Sequence, residues 1–182
     1  MAVAATVPVH RLSVDDVYAM VRAEILEENE RVELVEGVLV TMNPIGPEHR
    51  STMKWLNKHF VRACNDRYDV AIQDMLLTTD EGYRLPDLVV TEPLGRHELP
   101  STALLVIEVA QTSQARDREK IADYARAGVL EYWIVDLVDE VVHVHTEPDG
   151  DAYRTVVAHR QGAVATQVPG VPPVPLDALF GR

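Results

Sequence analysis

Asp87, Glu108 and Lys120 are the residues whose types and positions could do chemistry together. Asp87 lies in "RLPDLVV", Glu108 in "LLVIEVA", and Lys120 in the following "ARDREKIADYARAG". Alternation along a strand puts Leu104, Val106, Glu108 and Ala110 on one face. A carboxylate among apolar neighbours needs a partner, because desolvating a charge costs several kcal/mol. Asp87 likewise shares a face with Leu85 and Val89, and if the two strands pair, the two acids meet at one end. Carboxylates at close range repel unless they share a proton or a cation. A hard divalent ion such as Mg²⁺ or Mn²⁺ takes oxygen ligands of this kind. On a helix, Lys120 stands about 40° from Tyr124 and about 100° from Ile121. It borders the buried face, from which it could reach over the sheet edge to orient a metal-bound water or stabilise charge on a phosphate. Two acids and a lysine about a metal form a phosphodiester-hydrolysis arrangement. The same residues also fit a blander reading: a strand end after proline, a Glu–Arg pair and a solvated lysine.

Those residues need a sheet and helices to position them. "LSVDDVYAMVRA" reads as an opening helix, with Ser13 as N-cap and Asp16 completing a capping-box variant. "RVELVEGVLVTM" reads as two strands about a turn at Glu36-Gly37. "GPEHRSTMKWLNKHFVRACNDR" reads as a helix with Pro47 near its first position. "YDVAIQDMLLTT" and "YRLPDLVVTE" read as two strands about the turn "DEG", and "ALLVIEVAQ" as a buried strand. The helix carrying Lys120 ends at Gly128, a natural residue just past a helix end. "LEYWIVDL" and "EVVHVHTE" read as strands, "PDGDAYRTVVAH" as a hairpin arm, and "VPGVPPVPLDALF" as a Pro-rich tail ending in a turn of helix. The expected class is α/β (α+β), a mixed central sheet flanked by helices.

Composition narrows the setting. The chain has 182 residues, 47% of them hydrophobic, which suits one domain over 1–182. Within it we expect an N-terminal helix and hairpin at 12–42, a core at 46–146, and a C-terminal hairpin and tail at 147–182. Cys64 is the single cysteine, so neither an intrachain disulfide nor a cysteine zinc site can form, and a reducing compartment is the simplest setting. No apolar run is long enough to span a bilayer, and "MAVAATVPVHRLS" lacks the features of a signal peptide. A cytoplasmic location is expected. The formal charge of −12 argues against a general nucleic-acid coat protein, since phosphate binding is dominated by Lys and Arg. It does not argue against a metal-dependent nuclease, whose site is built from carboxylates.

Taken together, "RLPDLVV", "LLVIEVAQTS" and "RDREKIADYARAGVLEYWIVD" resemble the PD-(D/E)XK nuclease superfamily. Within it they resemble a large bacterial family, Uma2-like, whose members are described as "putative restriction endonucleases". Asp117, Lys120 and Tyr124 correspond to its helical motif, with the first gap one residue shorter than in that pattern, and the upstream "RVELVEG" and "PEH" fit as well. The resemblance covers roughly residues 12 to 140. It implies a restriction-endonuclease-like core with Asp87 and Glu108 as metal ligands and the backbone carbonyl of Val109 as a third. Ala110 stands where the superfamily name would place lysine, and the resemblance implies that Lys120 serves from the next helix. It also brings in Glu33, an acid upstream of the PD pair that could complete the metal site, and His49, which could approach it. DNA is the implied substrate and a homodimer the implied assembly, since cutters of two-fold DNA sites usually work as dimers.

Other residues carry competing readings. Arg50, Lys54, Lys58 and Arg62 recur every four residues and form a basic stripe, either a phosphate-backbone contact or an ordinary solvated face. Tyr124 is a core residue with a satisfied hydroxyl or a phosphate contact. Tyr132 and Trp133 read as core, Asp136 as structural and Cys64 as inert. His143 and His145 share one strand face, which we read as exposed. Two rival functions stand beside the nuclease. One is a catalytically silent binding module that keeps the fold. The other is a DNA mimic, suggested by the net charge.

Overall fold

The computed structural model describes residues 8–28, 30–111 and 114–182. Thr112, Ser113 and the side chain of Asp117 lie outside what is described. The first helix, α1 (Val14–Arg22), is capped reciprocally: the Asp16 N–H donates to Ser13 Oγ, and the Ser13 N–H donates to the Asp16 carboxylate. Next, β1 (Val32–Val35) and β2 (Val38–Thr41) pair antiparallel. They turn at Glu36 and Gly37, with φ of 47° and 74°. Two successive left-handed residues match the twist of a tight hairpin. Helix α2 (Pro47–Cys64) follows, with Pro47 in its first turn and Asn65 as a left-handed C-cap.

Two segments expected to be continuous strands are each broken. "YDVAIQDMLLTT" forms β3 (Asp69–Ala71) and β4 (Leu76–Thr79), and "YRLPDLVVTE" forms β5 (Gly82–Arg84) and β6 (Leu88–Thr91). β3 pairs with β6, whereas β4 pairs with β5 and β5 with β1. The whole is one long hairpin bent at its middle, base in one sheet and tip in another. Pro86 causes the break, because it has no N–H for a ladder. Its carbonyl accepts from the N–H of Gln73 at 2.9 Å, and Gln73 is itself at a φ of 50°.

Beyond the bend come β7 (Leu105–Ala110), α3 (Gln114–Arg126) and β8 (Glu131–Asp136). β7 and β8 are parallel, joined by the α3 crossover. Then follow β9 (Val141–Asp149), β10 (Ala152–His159), β11 (Ala163–Val164), β12 (Val174–Pro175) and α4 (Leu176–Phe180). The main sheet runs β10-β9-β8-β7-β6-β3, with β7 and β8 its parallel neighbours. The second sheet runs β2-β1-β5-β4. The architecture is the mixed sheet with flanking helices that the sequence predicts.

β7 separates two cores. On one side Leu105, Ile107 and Val109 pack in a cluster with Leu56 and Phe60 of α2. On the other, Val106 joins Tyr124, Ala125 and Tyr132. Each such apolar side chain contributes about 1.5–3 kcal/mol on burial. The C-terminal segment is more than a tail: Val164, Val174 and Leu176 are fully buried in the α2-side core. Glu131 tethers it, accepting from Trp133 Nε1 with one oxygen and from Thr166 Oγ1 and the Gln167 N–H with the other. The face of His143 and His145 departs from expectation. His145 is buried against the rings of Tyr132, its ladder partner on β8, and Tyr153 of β10, because α3 packs against these strands, and His143 is half-buried.

Among the described residues no helix is long and apolar enough to cross a membrane.

Candidate active site

The bend at Pro86 sets the site. β6 pairs with β7 so that Leu88 faces Ile107, which brings Asp87 opposite Glu108 and Pro86 opposite Val109. The Val109 N–H finds no strand partner there and donates to Asp87 Oδ2 at 2.9 Å. In an antiparallel ladder the N–H and C=O of one residue point to the same side. The Val109 carbonyl therefore also faces Pro86, which has no N–H to offer it.

Glu108 reaches the other way, toward α3. Its Oε1 accepts from Lys120 Nζ at 2.9 Å and from the Tyr124 hydroxyl at 2.6 Å. Lys120 and Tyr124 lie one helical turn apart, so a single face of α3 supplies both donors. Lys120 also contacts Glu33 Oε1 at 3.3 Å. Glu33 comes from β1 of the second sheet and accepts in addition from the Leu85 N–H and from Arg84 Nη1. Arg84 bridges onward to Asp123, whose other oxygen takes Arg126. The site thus lies where the two sheets meet, and α3 stitches them.

His49, in the first turn of α2, places Nε2 2.9 Å from Asp87 Oδ2. Its other ring nitrogen, Nδ1, is buried with no hydrogen-bond partner. Asp87, Glu108 and Glu33 are 4%, 5% and 4% exposed, so every charge here is largely desolvated. Burial pushes the Glu108 carboxyl up to about 7, a shift that Lys120 opposes and that Asp87 and Glu33 reinforce. Desolvation alone would lower the Lys120 ammonium, but Glu108 and Glu33 outweigh it and hold the group charged. Burial, and then the Glu108 charge, raise the Tyr124 phenol well above its ordinary value. Tyr124 therefore stays protonated and donates to Glu108.

These residues line a cleft of about 230 Å³ whose walls include Arg31, Glu33, His49, Asp87, Glu108 and Lys120. Among the described residues no hydrogen bond reaches Asp87 Oδ1 or Glu108 Oε2. Neither atom is among the sealed polar atoms lacking a partner. Asp87 and Glu108 themselves line the cleft. No group of three or more His, Cys, Asp or Glu among the described residues is arranged to hold a metal ion.

Of the residues singled out in the sequence, Asp87, Glu108, Lys120, Val109, Glu33, His49 and Tyr124 converge here. The basic stripe does not: Arg50, Lys54, Lys58 and Arg62 are exposed on α2, outside the lining of the cleft. Arg84 and Asp123 were not anticipated. The signal was available, since Lys120, Asp123 and Tyr124 at helical spacing share one face.

Known proteins can now be set beside this geometry. No curated protein matches the sequence. The crystal structure of "a putative nuclease belonging to DUF820 from Anabaena variabilis ATCC 29413" superposes with a TM-score of 0.73 at 14% identity, covering 93% of this chain and 98% of that one. The type IIG restriction endonuclease BpuSI gives a TM-score of 0.39 at 17% identity, over 59% of this chain and 13% of that one. The first of these shares the fold. A family profile, Uma2, described as "Putative restriction endonuclease", matches residues 14–178. That match spans nearly the whole chain, which therefore belongs to the Uma2 family.

Proposed function

We propose that the protein is a Mg²⁺- or Mn²⁺-dependent endonuclease that hydrolyses DNA phosphodiesters in this cleft. The observation that carries the proposal is the juxtaposition in one cleft of Asp87, just before β6, and Glu108 of β7, with Lys120 reaching Glu108 from α3. The donor set suits a hard divalent ion, because Mg²⁺ is commonly held by one or two carboxylates and completes its shell with water and substrate oxygens. Asp87 Oδ1, Glu108 Oε2 and the Val109 carbonyl would hold it. Three carboxylates, Glu33, Asp87 and Glu108, converge on the cleft, and a divalent ion there would relieve their mutual repulsion. A bound divalent ion would polarise the scissile phosphate and lower the pKa of the attacking water.

The chain's own residues then have distinct tasks. Lys120, held charged, faces the cleft and offers its ammonium to the attacking water or to the phosphate oxygen gaining charge. Glu33 positions Lys120 and is a positioning residue, because Lys120, Arg84 and the Leu85 N–H already engage both its oxygens. Tyr124 and His49 orient Glu108 and Asp87. The assembly we propose is a cytoplasmic homodimer, one chain per strand cut.

One observation favours a second reading. Lys120 is held between two carboxylates, and no three-residue metal cluster is present among the described residues. A silent binding module stabilised by buried ion pairs would look similar. Calorimetric titration separates the two. The nuclease binds one Mn²⁺ per chain, and Asp87→Ala and Glu108→Ala each remove that binding. No Mn²⁺ binding by the folded wild type would leave the silent module.

A further inference from the structure

The β1–β2 hairpin forms one wall of the cleft, and alternation decides which of its residues face in. Glu33 points to the site, so Arg31 and Val35, two residues to either side, point the same way. Opposite them on the same face stand Val40, the ladder partner of Glu33, and Met42, across from Arg31. All five line the cleft.

Arg31 differs from the other cations there. Lys120 is bound to Glu108 and Glu33, and Arg84 to Glu33 and Asp123. Among the described residues Arg31 makes no ion pair, and its guanidinium meets only the Met42 sulfur at 3.9 Å. A thioether is a weak acceptor and leaves the guanidinium's remaining donors unused. The side chain is half-buried, so its direction is fixed by the hairpin while little desolvation has been incurred. A chain of charge −12 repels a polyanion, and with Arg84 and Lys120 already held by carboxylates a cation without a carboxylate partner is what the cleft has to admit one.

We propose that Arg31 is a substrate-positioning residue that grips a backbone phosphate of the DNA strand in the cleft, using its planar fork on the non-bridging oxygens. This rests on the nuclease reading and adds the residue that holds the strand. Val40 and Met42 give the fork an apolar flank on the same hairpin face.

The test is binding of a fluorescent DNA duplex by wild type, Arg31→Ala and Arg31→Lys, by anisotropy without divalent metal and over a range of salt. Plasmid cleavage and melting temperature are followed on the same preparations. Arg31→Ala should bind roughly tenfold more weakly, and its slope of log K against log salt should fall by about 0.9. Arg31→Lys should restore the slope but not the full affinity, and the melting temperature should not move. Wild-type affinity and slope in Arg31→Ala, with the wild type still cutting DNA, would overturn the role of Arg31 and leave the nuclease standing. Loss of binding matched by a fall in melting temperature in both variants would overturn it too, in favour of a structural role. The expected slope change with no cutting by the wild type would keep the phosphate grip and remove the nuclease.

Discussion

Glu108 is the most consequential residue of the site, because burial lifts its carboxyl to about 7. Its folded-state value lies above the unfolded one. Between about pH 4.5 and 7 the folded chain holds a proton that the unfolded chain has released, so this group's contribution to stability falls as pH rises through that window. Above it, Glu108 is ionised and open to a cation. A metal bound there must displace the proton at lower pH. Mn²⁺ affinity is therefore expected to be about tenfold weaker at pH 6 than at pH 8, and the rise in melting temperature that Mn²⁺ induces should shrink accordingly. A pH-independent affinity would show that Glu108 is not a ligand. Arg84 is the second sensitive residue, since its removal takes the shared cation from two buried carboxylates, Glu33 and Asp123. Arg84→Met should cost about 3 kcal/mol in denaturant unfolding.

At the scale of elements, the β1–β2 hairpin and the bend at Pro86 carry the site. Gly37 sits at a φ of 74°, and a Cβ there would clash with the Cβ of Arg11. Gly37→Ala is expected to destabilise by about 1–3 kcal/mol and to weaken DNA binding through displacement of Glu33 and Arg31. The elements also show what the sequence could reveal. Alternation in "LLVIEVA" exposed Glu108 as a misfit, and the PD pair in the neighbouring strand supplied its counterpart. The capping box and the turn at Glu36-Gly37 were legible because their signals are local. The division of two strands between two sheets was not, although Pro86 was a sign that a ladder must end there. Arg84 read as one more strand residue, and only the bend turns it inward to Glu33 and Asp123. Which strands pair is a long-range fact that residue types in one strand do not encode.

At the scale of the whole molecule, the sheet and the C-terminal segment close over residues that local pattern left outside. His145 is the clearest case. Burial, aided by the nearby His143, lowers its pKa to about 4. The unfolded chain takes up a proton below about 6.5 that the folded chain refuses, so stability from this group is present at neutral pH and is lost between about pH 6.5 and 4. His145→Gln should flatten that part of the acid limb by about 2 kcal/mol, read from urea unfolding at pH 7 and pH 4.5. An unchanged limb would mean that His145 titrates in the folded chain.

Plasmid cleavage by purified wild type, Glu108→Ala and Lys120→Ala, with Mg²⁺ or Mn²⁺, tests the central claim most directly. The account predicts metal-dependent cutting by the wild type and its loss, by a factor of at least about 100, in both variants. No cutting by folded wild type that binds Mn²⁺ would contradict the nuclease. Full cutting by Lys120→Ala would contradict the role given to the lysine that α3 delivers to the acid pair.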